Sequence, residues 1–127
     1  MQHHRRIVIA DKSVLAHNVY KMLLKPLGFS LFFYKTLHDL KQNFDSKLSC
    51  DCFLINSNAL GTQWDRTMTW LKEETKLKAA PKVFLCDEEE KAIQSLFKKL
   101  PNSHVVFRPF YPPALETTLK GILRERS

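Results

Sequence analysis

Glycine is scarce in this chain of 127 residues, which contains only Gly28, Gly61 and Gly121. Loops that cradle nucleotide phosphates, such as G-x-G-x-x-G and G-x-x-x-x-G-K, need closely spaced glycines, so neither can be written anywhere in the sequence. The three cysteines are an odd, sparse set that does not staple a small secreted fold, and no apolar signal stretch follows Met1. We therefore expect a protein of a reducing, cytoplasmic compartment.

Long apolar runs are also missing from the chain. No uninterrupted run exceeds four residues, whereas a membrane-spanning helix needs about 20. Apolar residues nevertheless make up 44% of the chain and charged residues 26%, which is the composition of a folded globular protein and not of a disordered one. The sequence therefore predicts no membrane span and a single domain over residues 1–127.

Acidic residues are absent between Lys12 and His38, although the chain as a whole has 13. The net charge of +7 favours an anionic partner. His17, Lys21 and Lys25 recur every four residues and form a basic ridge on the first predicted helix. This ridge is either a solvated face or a docking surface for an acidic protein or for phosphates. Single-stranded nucleic acid is disfavoured as a partner because no aromatic residues interleave with the basic residues of this ridge.

Short apolar segments alternate with amphipathic ones along the whole chain. The predicted strands are Arg5–Ala10, Ser30–Lys35, Asp51–Ile55, Lys82–Cys86 and His104–Phe107. Five strand–helix units with short connections predict a parallel sheet that is covered by helices on both faces. In such sheets the chemistry collects at the carboxyl ends of the strands, where the strand order reverses.

The helices are predicted from apolar spacing and from capping residues. The first follows Asp11-Lys12-Ser13, and its predicted core stripe comprises Leu15, Val19, Met22 and Leu23. The helix after the fourth strand is predicted to have Asp87 as its N-cap and the following three glutamates in its first turn. Further helices are expected over residues 36–44 and 64–76 and from residue 112 onward.

The spacing of these elements resembles the receiver domain of bacterial response regulators over essentially the whole chain. Members of that family have an acidic pair, a phosphoacceptor Asp, a Thr or Ser and a Lys-Pro dipeptide at the strand ends. The corresponding residues here are Asp11-Lys12, Asn56, Cys86 and Arg108-Pro109. The resemblance implies an α/β, flavodoxin-like fold, a doubly wound five-stranded parallel sheet of order 2-1-3-4-5 with five helices.

The residues at these positions lack the chemistry of the family. The family reaction needs an Asp that attacks a phosphodonor and helps to hold Mg²⁺, whereas the carboxamide of Asn56 offers no anionic nucleophile. Asp11, Lys12, Asn56 and Arg108 together carry a net charge of +1, against −2 for three acids and one lysine. Mg²⁺ prefers carboxylate oxygens. We therefore expect no phosphorylation, no metal, no cofactor and no enzymatic activity, with Lys12 neutralising Asp11.

Cys86 stands where the family has the Thr or Ser of its conformational switch. A thiol is a weak hydrogen-bond donor, and Val105, at the position of the family's switching aromatic, has no polar tip. In the family, the hydroxyl at the first position and the aromatic side chain at the second move together in the conformational switch. Neither side chain is present here, so we expect no such switch. A redox or nucleophilic role for Cys86 at a helix N-terminus is the alternative to buried packing, and the acidic residues that follow it oppose a thiolate.

We expect this domain to act as a phosphorylation-independent receiver-like module that binds another signalling protein or an output domain. The candidate partner surface comprises Trp70, His17, Lys21, Lys25, Glu89, Phe97, Lys98, Tyr111 and Leu119. The last five lie on the face of helix 4, strand 5 and helix 5, through which family members dimerise or bind partners. The resemblance therefore also implies this face as a candidate homodimer interface of this chain. Trp70 is either an exposed anchor or covered by intrachain packing. The alternative function is an anion- or nucleotide-sensing domain that uses Lys12 and Arg108.

Overall fold

The computed structural model describes residues 5–43, 50–61, 64–73, 80–107 and 117–121. Five parallel strands form one sheet in the order β2-β1-β3-β4-β5, as the resemblance to receiver domains implies. The strands are β1 (Arg5–Ala10), β2 (Phe29–Tyr34), β3 (Cys52–Asn56), β4 (Lys82–Cys86) and β5 (Ser103–Phe107). The strand order reverses between β1 and β3, so the ends of these two strands form the crevice in which doubly wound folds place their sites.

Five helices occur in the described residues and agree with the predicted number. They are α1 (Val14–Leu24), α2 (Leu37–Asn43), α3 (Trp64–Glu73), α4 (Lys91–Lys98) and α5 (117–121). Ser13 caps α1, because its Oγ accepts from the Ala16 amide at 3.2 Å. Thr36 Oγ1 accepts from the Asp39 amide at 3.0 Å in the same way before α2. None of these helices combines the length and apolar composition that a membrane crossing requires.

Two apolar cores lie on opposite sides of the sheet. On one side α1 and α5 pack over the strands, with Tyr20, Leu24 and Leu119 fully buried. On the other side α2, α3 and α4 pack over the alternate strand residues, with Leu71 and Phe97 among the buried side chains. Because successive strand residues point to opposite faces, each central strand contributes to both cores and is mostly apolar. The polar residues of these strands stand at their ends, as Asn56 does in β3 and Lys82 in β4.

The predicted core stripe of α1 is wrong for three of its four residues, and the fourth, Leu23, is partly buried and packs against the core. Leu15 and Met22 are 76% and 77% exposed, and Val19 is 37% exposed. Tyr20 and Leu24 are buried instead, on the adjacent side of the helix. Both stripes have helical spacing, so periodicity alone does not distinguish them. The helix adopts the register that buries the large Tyr20 side chain, whose hydroxyl has a partner at the carboxyl edge of the sheet.

The predicted start of α4 is also wrong. The helix begins at Lys91, with Glu90 and not Asp87 as its N-cap residue. Glu90 Oε1 accepts from the Asp87 amide at 2.8 Å and from Ser57 Oγ at 3.1 Å. Gln94 Nε2 then donates to the carbonyl oxygen of Asp87 at 3.0 Å. These bonds hold residues 87–90 as a turn, so the predicted first helical turn is a loop fastened to the end of β3.

Candidate functional site

The carboxyl edge of the sheet brings Asp11 and Asn56 together. Asp11 directly follows β1, Asn56 is the last residue of the neighbouring strand β3, and both are buried. Asn56 Nδ2 donates to Asp11 Oδ2 at 3.0 Å. The structure therefore places these two predicted site residues in direct contact.

The Asp11 carboxylate accepts hydrogen bonds from four donors. Its Oδ2 accepts from Tyr20 Oη at 2.6 Å as well as from Asn56. Its Oδ1 accepts from the Ser13 amide at 2.9 Å and from Asn58 Nδ2 at 3.0 Å. Hydrogen bonds to an ionised group are stronger than those between neutral groups. All four donors are uncharged groups, and together they stabilise the buried carboxylate.

These contacts determine the ionisation of Asp11. Burial raises the pKa of this carboxyl group, but the bonds from Tyr20, Asn58, the Ser13 amide and Asn56 together outweigh burial. The pKa of Asp11 consequently lies below its ordinary value of 3.8. Asp11 is therefore ionised at neutral pH, and its negative charge is distributed over uncharged donors.

Lys12 does not neutralise Asp11, which corrects the sequence-based expectation. The Lys12 side chain is exposed, and its backbone amide donates to Asn58 Oδ1 at 3.0 Å. Amide and hydroxyl donors stabilise the carboxylate because they are already fixed beside it, at no further cost in side-chain entropy. Arg108, the other half of the predicted anion site, lies outside the described residues.

Asn56 is engaged through both ends of its carboxamide. Nδ2 donates to Asp11, and Oδ1 accepts from the Asn58 amide at 3.2 Å, which caps the 3₁₀ turn Ser57–Ala59. In the described part of the chain, no group of three or more His, Cys, Asp or Glu side chains is placed to hold a metal ion. Asp11 is the carboxylate that the described residues place beside Asn56.

Cys86 is fully buried at the end of β4 and belongs to the core that α2, α3 and α4 cover. Val105 packs against the same core and is partly buried. A buried thiol among apolar side chains is not accessible to a substrate or to an oxidant. This environment favours the packing interpretation of Cys86 over a nucleophilic one.

Two residues of the predicted partner surface are not on the surface. Phe97 is 1% exposed and stacks on Phe84 with ring centroids 3.9 Å apart. Leu119 is fully buried in the core beneath α1 and α5. Apolar side chains on amphipathic helices pack inward, so both predictions were wrong for the same reason. Glu89 and Lys98 are exposed, and Tyr111 lies outside the described residues.

Trp70 and His17 are also less available than the sequence suggested. Trp70 is half-buried and packs against the core on the α3 side, so intrachain packing covers part of the predicted anchor. His17 is half-buried, with Nε2 2.7 Å from the carbonyl oxygen of Asp11 and its ring stacked on Phe33 at 4.6 Å. Only Lys21 and Lys25 of the predicted basic ridge are exposed.

The exposed side of α1 carries an apolar stripe beside these two lysines. Leu15, Val19 and Met22 follow i, i+4, i+7 spacing and stand in solvent, and Lys21 Nζ lies 5.4 Å from the centroid of the Phe33 ring. We call Leu15, Val19, Lys21, Met22 and Lys25 the α1 surface. Large apolar side chains exposed together are typical of an interaction site.

Sequence reasoning missed Tyr20 and Asn58, two of the four donors to Asp11. Asn58 follows Asn56 by two residues in the loop after a strand, where an amide side chain commonly bonds nearby groups. Tyr20 follows Asp11 by nine residues and carries a hydroxyl that needs a partner when buried. The polar tip of Tyr20 was therefore the available signal that its side of α1 faces inward.

The arrangement of strands and helices matches solved structures at low sequence identity. The chemotaxis response regulator CheY4 of Vibrio cholerae superposes with a TM-score of 0.80 at 16% identity, covering 95% of this chain and 100% of that chain. The signal receiver domain of an HD domain-containing protein from Pseudomonas fluorescens gives 0.82 at 12% identity, covering 98% and 90%. The fold is that of a receiver domain.

A third similar structure is a receiver domain with a metal ion in its active-site cleft. The receiver domain of a sensor histidine kinase from Pseudomonas aeruginosa matches with a TM-score of 0.79 at 11% identity, over 95% of this chain and 98% of that one. That receiver domain was solved with a magnesium ion coordinated in its active-site cleft. No protein-family model and no curated protein matches the sequence. The receiver fold is thus shared by chains whose sequences have diverged widely.

Proposed function

We propose that this chain is a receiver-like module of signal transduction that works without phosphorylation and is not an enzyme. It would act by binding another signalling protein or an output domain, as one domain over residues 1–127 in the cytoplasm. The observation that carries the proposal is the 3.0 Å hydrogen bond from Asn56 Nδ2 to Asp11 Oδ2. At the position where receiver domains keep a nucleophilic carboxylate, this chain has a hydrogen-bond donor.

The carboxamide of Asn56 is unsuited to phosphoryl transfer for electronic and geometric reasons. Its oxygen carries no full negative charge, and covalent catalysis by a side chain needs an activated nucleophile. That oxygen already accepts from the Asn58 amide. A phosphodonor would therefore meet a neutral group that is held in two hydrogen bonds.

Magnesium binding is disfavoured by the same contacts. A divalent ion at Asp11 would have to displace the Tyr20 or amide donors from the carboxylate oxygens. Its attraction to the Asp11 carboxylate alone would not offset the hydrogen bonds that are lost. Mg²⁺ surrenders its own water reluctantly and is bound through carboxylates. We infer that the carboxyl edge of this chain is a structural network and not a metal centre.

The α1 surface is the partner surface that we favour. Its apolar stripe costs free energy in water, at about 25 cal/mol per Å² of apolar area, until a partner covers it. Lys21 and Lys25 beside the stripe favour a partner with acidic flanks, because complementary charge orients an encounter. The predicted homodimer face around α4 retains Glu89 and Lys98 as exposed residues in the described part of the chain.

The alternative of an anion- or nucleotide-sensing domain rests on Lys12 and Arg108. Of these two residues, the structure describes Lys12, whose side chain is exposed. Titration with phosphate, cyclic nucleotides or nucleic acid tests it, because an anion sensor would show NMR shift changes that saturate and are confined to the strand ends. We retain the binding module as the conclusion because more of the observed contacts support it.

The test of phosphorylation independence is an intact-mass measurement after incubation with acetyl phosphate and Mg²⁺. The mass of the protein is expected to stay unchanged, and stoichiometric addition of a phosphoryl group would refute the proposal. Partner binding is tested by affinity capture with the intact protein and with a Lys21→Glu, Lys25→Glu variant. A genuine partner is lost from that variant but retained by Lys98→Glu, a single reversal of charge on the exposed side of α4.

A further inference from the structure

A groove of about 280 Å³ lies between α3 and α4, on the face of the sheet away from α1. Its lining residues are Asp65, Met68, Thr69, Lys72, Leu96, Lys99 and Leu100. Met68, Leu96 and Leu100 supply an apolar floor, and the other four supply a polar rim. None of these residues takes part in the Asp11 network or in the α1 surface, so the groove is independent of the proposed function.

The two ends of the groove carry opposite charge. Both helices follow parallel strands and therefore run from the carboxyl edge of the sheet back toward its amino edge. Lys72 stands in the last turn of α3 and Lys99 directly after α4, so both residues are placed at the amino-edge end of the groove. Asp65 stands in the first turn of α3, about 10 Å away by helical rise.

The lysines at this end have no ionic partner in the described part of the chain. Thr69, by contrast, donates its hydroxyl to the carbonyl oxygen of Asp65 at 3.0 Å and so has its own backbone partner. Among the described residues, the groove therefore offers two lysines without an ionic partner next to an apolar floor. An occupant with an anionic head and an apolar body would complement both features.

We propose that this groove binds an amphiphilic monocarboxylate, with its chain or ring on Met68, Leu96 and Leu100 and its carboxylate between Lys72 and Lys99. A cavity of about 150 Å³ holds a benzene ring, so this groove accommodates an aryl acid or an alkyl acid of about eight carbons. Asp65 repels a second carboxylate at the far end. A protein partner would need about 800 Å² on each side, far more than the groove itself offers.

The test is an NMR titration of the full chain with octanoate, followed through backbone amide shifts. Saturable shifts are expected in α3 and α4, with a dissociation constant of about 1 to 5 mM for so small a ligand. Octylammonium has the same chain and opposite charge and is expected to bind at least tenfold more weakly. Suberate, the dicarboxylate of the same length, is expected to lose affinity severalfold because its second carboxylate reaches Asp65.

Variants show whether the groove itself is the site. Charge reversal in Lys72→Glu with Lys99→Glu is expected to weaken octanoate binding at least tenfold. The matched control, Lys91→Glu with Lys98→Glu, makes the same charge change on exposed α4 positions outside the groove and should leave affinity within twofold. Leu96→Trp fills the groove and is expected to abolish the shifts while the circular dichroism spectrum is retained.

Three results would overturn the assignment. The first is equal binding of octanoate and octylammonium, because the two lysines would then contribute nothing. The second is unchanged octanoate affinity in the Lys72→Glu, Lys99→Glu variant. The third is binding of an acidic peptide such as Glu-Leu-Phe-Glu in the absence of any octanoate binding, which would assign the groove to a protein partner.

Discussion

The Asp11 carboxylate shows how one buried charge is stabilised by uncharged hydrogen-bond donors. Four donors from α1, from the loop after β1 and from the end of β3 converge on its two oxygens. Each donor is itself fixed, because Tyr20 is buried in α1 and Asn56 ends a central strand. A buried carboxylate costs several kcal/mol unless it is hydrogen-bonded, so these residues depend on one another for stability.

Replacement of Asn56 by Asp tests this dependence. Asn56→Asp places a second carboxylate about 3 Å from Asp11, and we expect a loss of about 2 to 4 kcal/mol of unfolding free energy at pH 7. The pair then has a raised pKa, so part of the stability returns as the pH falls to 5 and one carboxylate is protonated. Urea unfolding at both pH values measures the difference.

Asn58→Asp is the matched control for this experiment. It makes the same chemical change at an exposed donor to Asp11, where water screens the repulsion, and a smaller loss is expected. An equal loss for Asn56→Asp at pH 5 and pH 7 would show that the cost comes from packing and not from charge.

Tyr20 tests the lowered pKa of Asp11. Tyr20→Phe removes the 2.6 Å bond to the carboxylate and is expected to cost about 2 kcal/mol at pH 7. That stabilisation is present above the ordinary pKa of 3.8 and is lost as the pH falls through the lower pKa of the folded state. Wild type and variant should therefore converge in unfolding free energy as the pH falls below the pKa of Asp11 in the folded state.

Tyr34→Phe is the control for Tyr20→Phe, because the half-buried Tyr34 side chain packs against the core on the other face of the sheet. The carbonyl oxygen of Tyr34 accepts from the Asp11 amide at 3.0 Å, and this backbone bond is kept in the variant. This control should cost less than Tyr20→Phe and should not change the acid dependence. If the difference between wild type and Tyr20→Phe were constant from pH 7 to pH 3, the ionised state of Asp11 would not be what Tyr20 stabilises.

At the level of single elements, α1 differs most from expectation. The helix has two apolar stripes, and the one with more aliphatic residues faces solvent. The buried stripe has Tyr20, whose ring fills the core beneath α1 while its hydroxyl reaches the carboxyl edge. Satisfying a buried polar group together with a large ring outweighs the burial of Leu15 and Met22, which a partner can cover.

Substitutions on the two stripes of α1 separate these roles. Leu15→Ser with Met22→Gln is expected to change the unfolding free energy by no more than about 0.5 kcal/mol per site, because both side chains stand in solvent. Leu24→Ala in the buried stripe is expected to cost about 2 to 5 kcal/mol. Chemical denaturation of the two variants gives the comparison. A loss above 2 kcal/mol in the Leu15, Met22 variant would mean that this stripe is buried.

The loop before α4 illustrates the same competition between local and tertiary preferences. Asp87 followed by glutamates is a good local signal for a helix start. Glu90 instead accepts from both the Asp87 amide and Ser57 Oγ, which joins the loops after β4 and β3. The helix therefore starts only at Lys91. The acidic residues that indicated an earlier start belong to the turn that connects the two loops.

The whole molecule retains a receiver fold at 11 to 16% identity to the solved receiver structures compared above. The shared information is the alternation of apolar strands and amphipathic helices, which specifies a parallel sheet with two cores. The carboxyl edge is free to diverge because the two cores lie beside the sheet faces and not at its edge. In this chain the edge holds a hydrogen-bonded carboxylate, and we expect the stability of the molecule to be independent of magnesium.

Thermal unfolding in 10 mM Mg²⁺ tests that expectation on the intact protein. The midpoint of the wild type is expected to move by less than about 1 °C on addition of Mg²⁺. The midpoint of Asn56→Asp alone should likewise respond little to Mg²⁺. Asn56→Asp with Lys12→Asp restores an acidic edge, and a dissociation constant of about 0.1 mM would raise the midpoint by roughly 8 °C. NaCl at the same ionic strength controls for screening. Equal metal response in the single and double variants would contradict the charge argument.

The amino-acid sequence by itself determined the five strands, the number of helices and the replacement of residues at the positions where receiver domains have their catalytic groups, since these follow from apolar spacing and from residue identity. The sheet order was expected from the resemblance to receiver domains, because apolar spacing does not specify which strands are neighbours. The tertiary structure decided which stripe of α1 is buried, where α4 begins and how Asp11 is stabilised. Those outcomes depend on Tyr20, Asn58 and Glu90 finding partners on other segments. The periodicity of apolar residues shows that a helix has an apolar face. When a helix has two such faces, packing against the sheet decides which of them is buried.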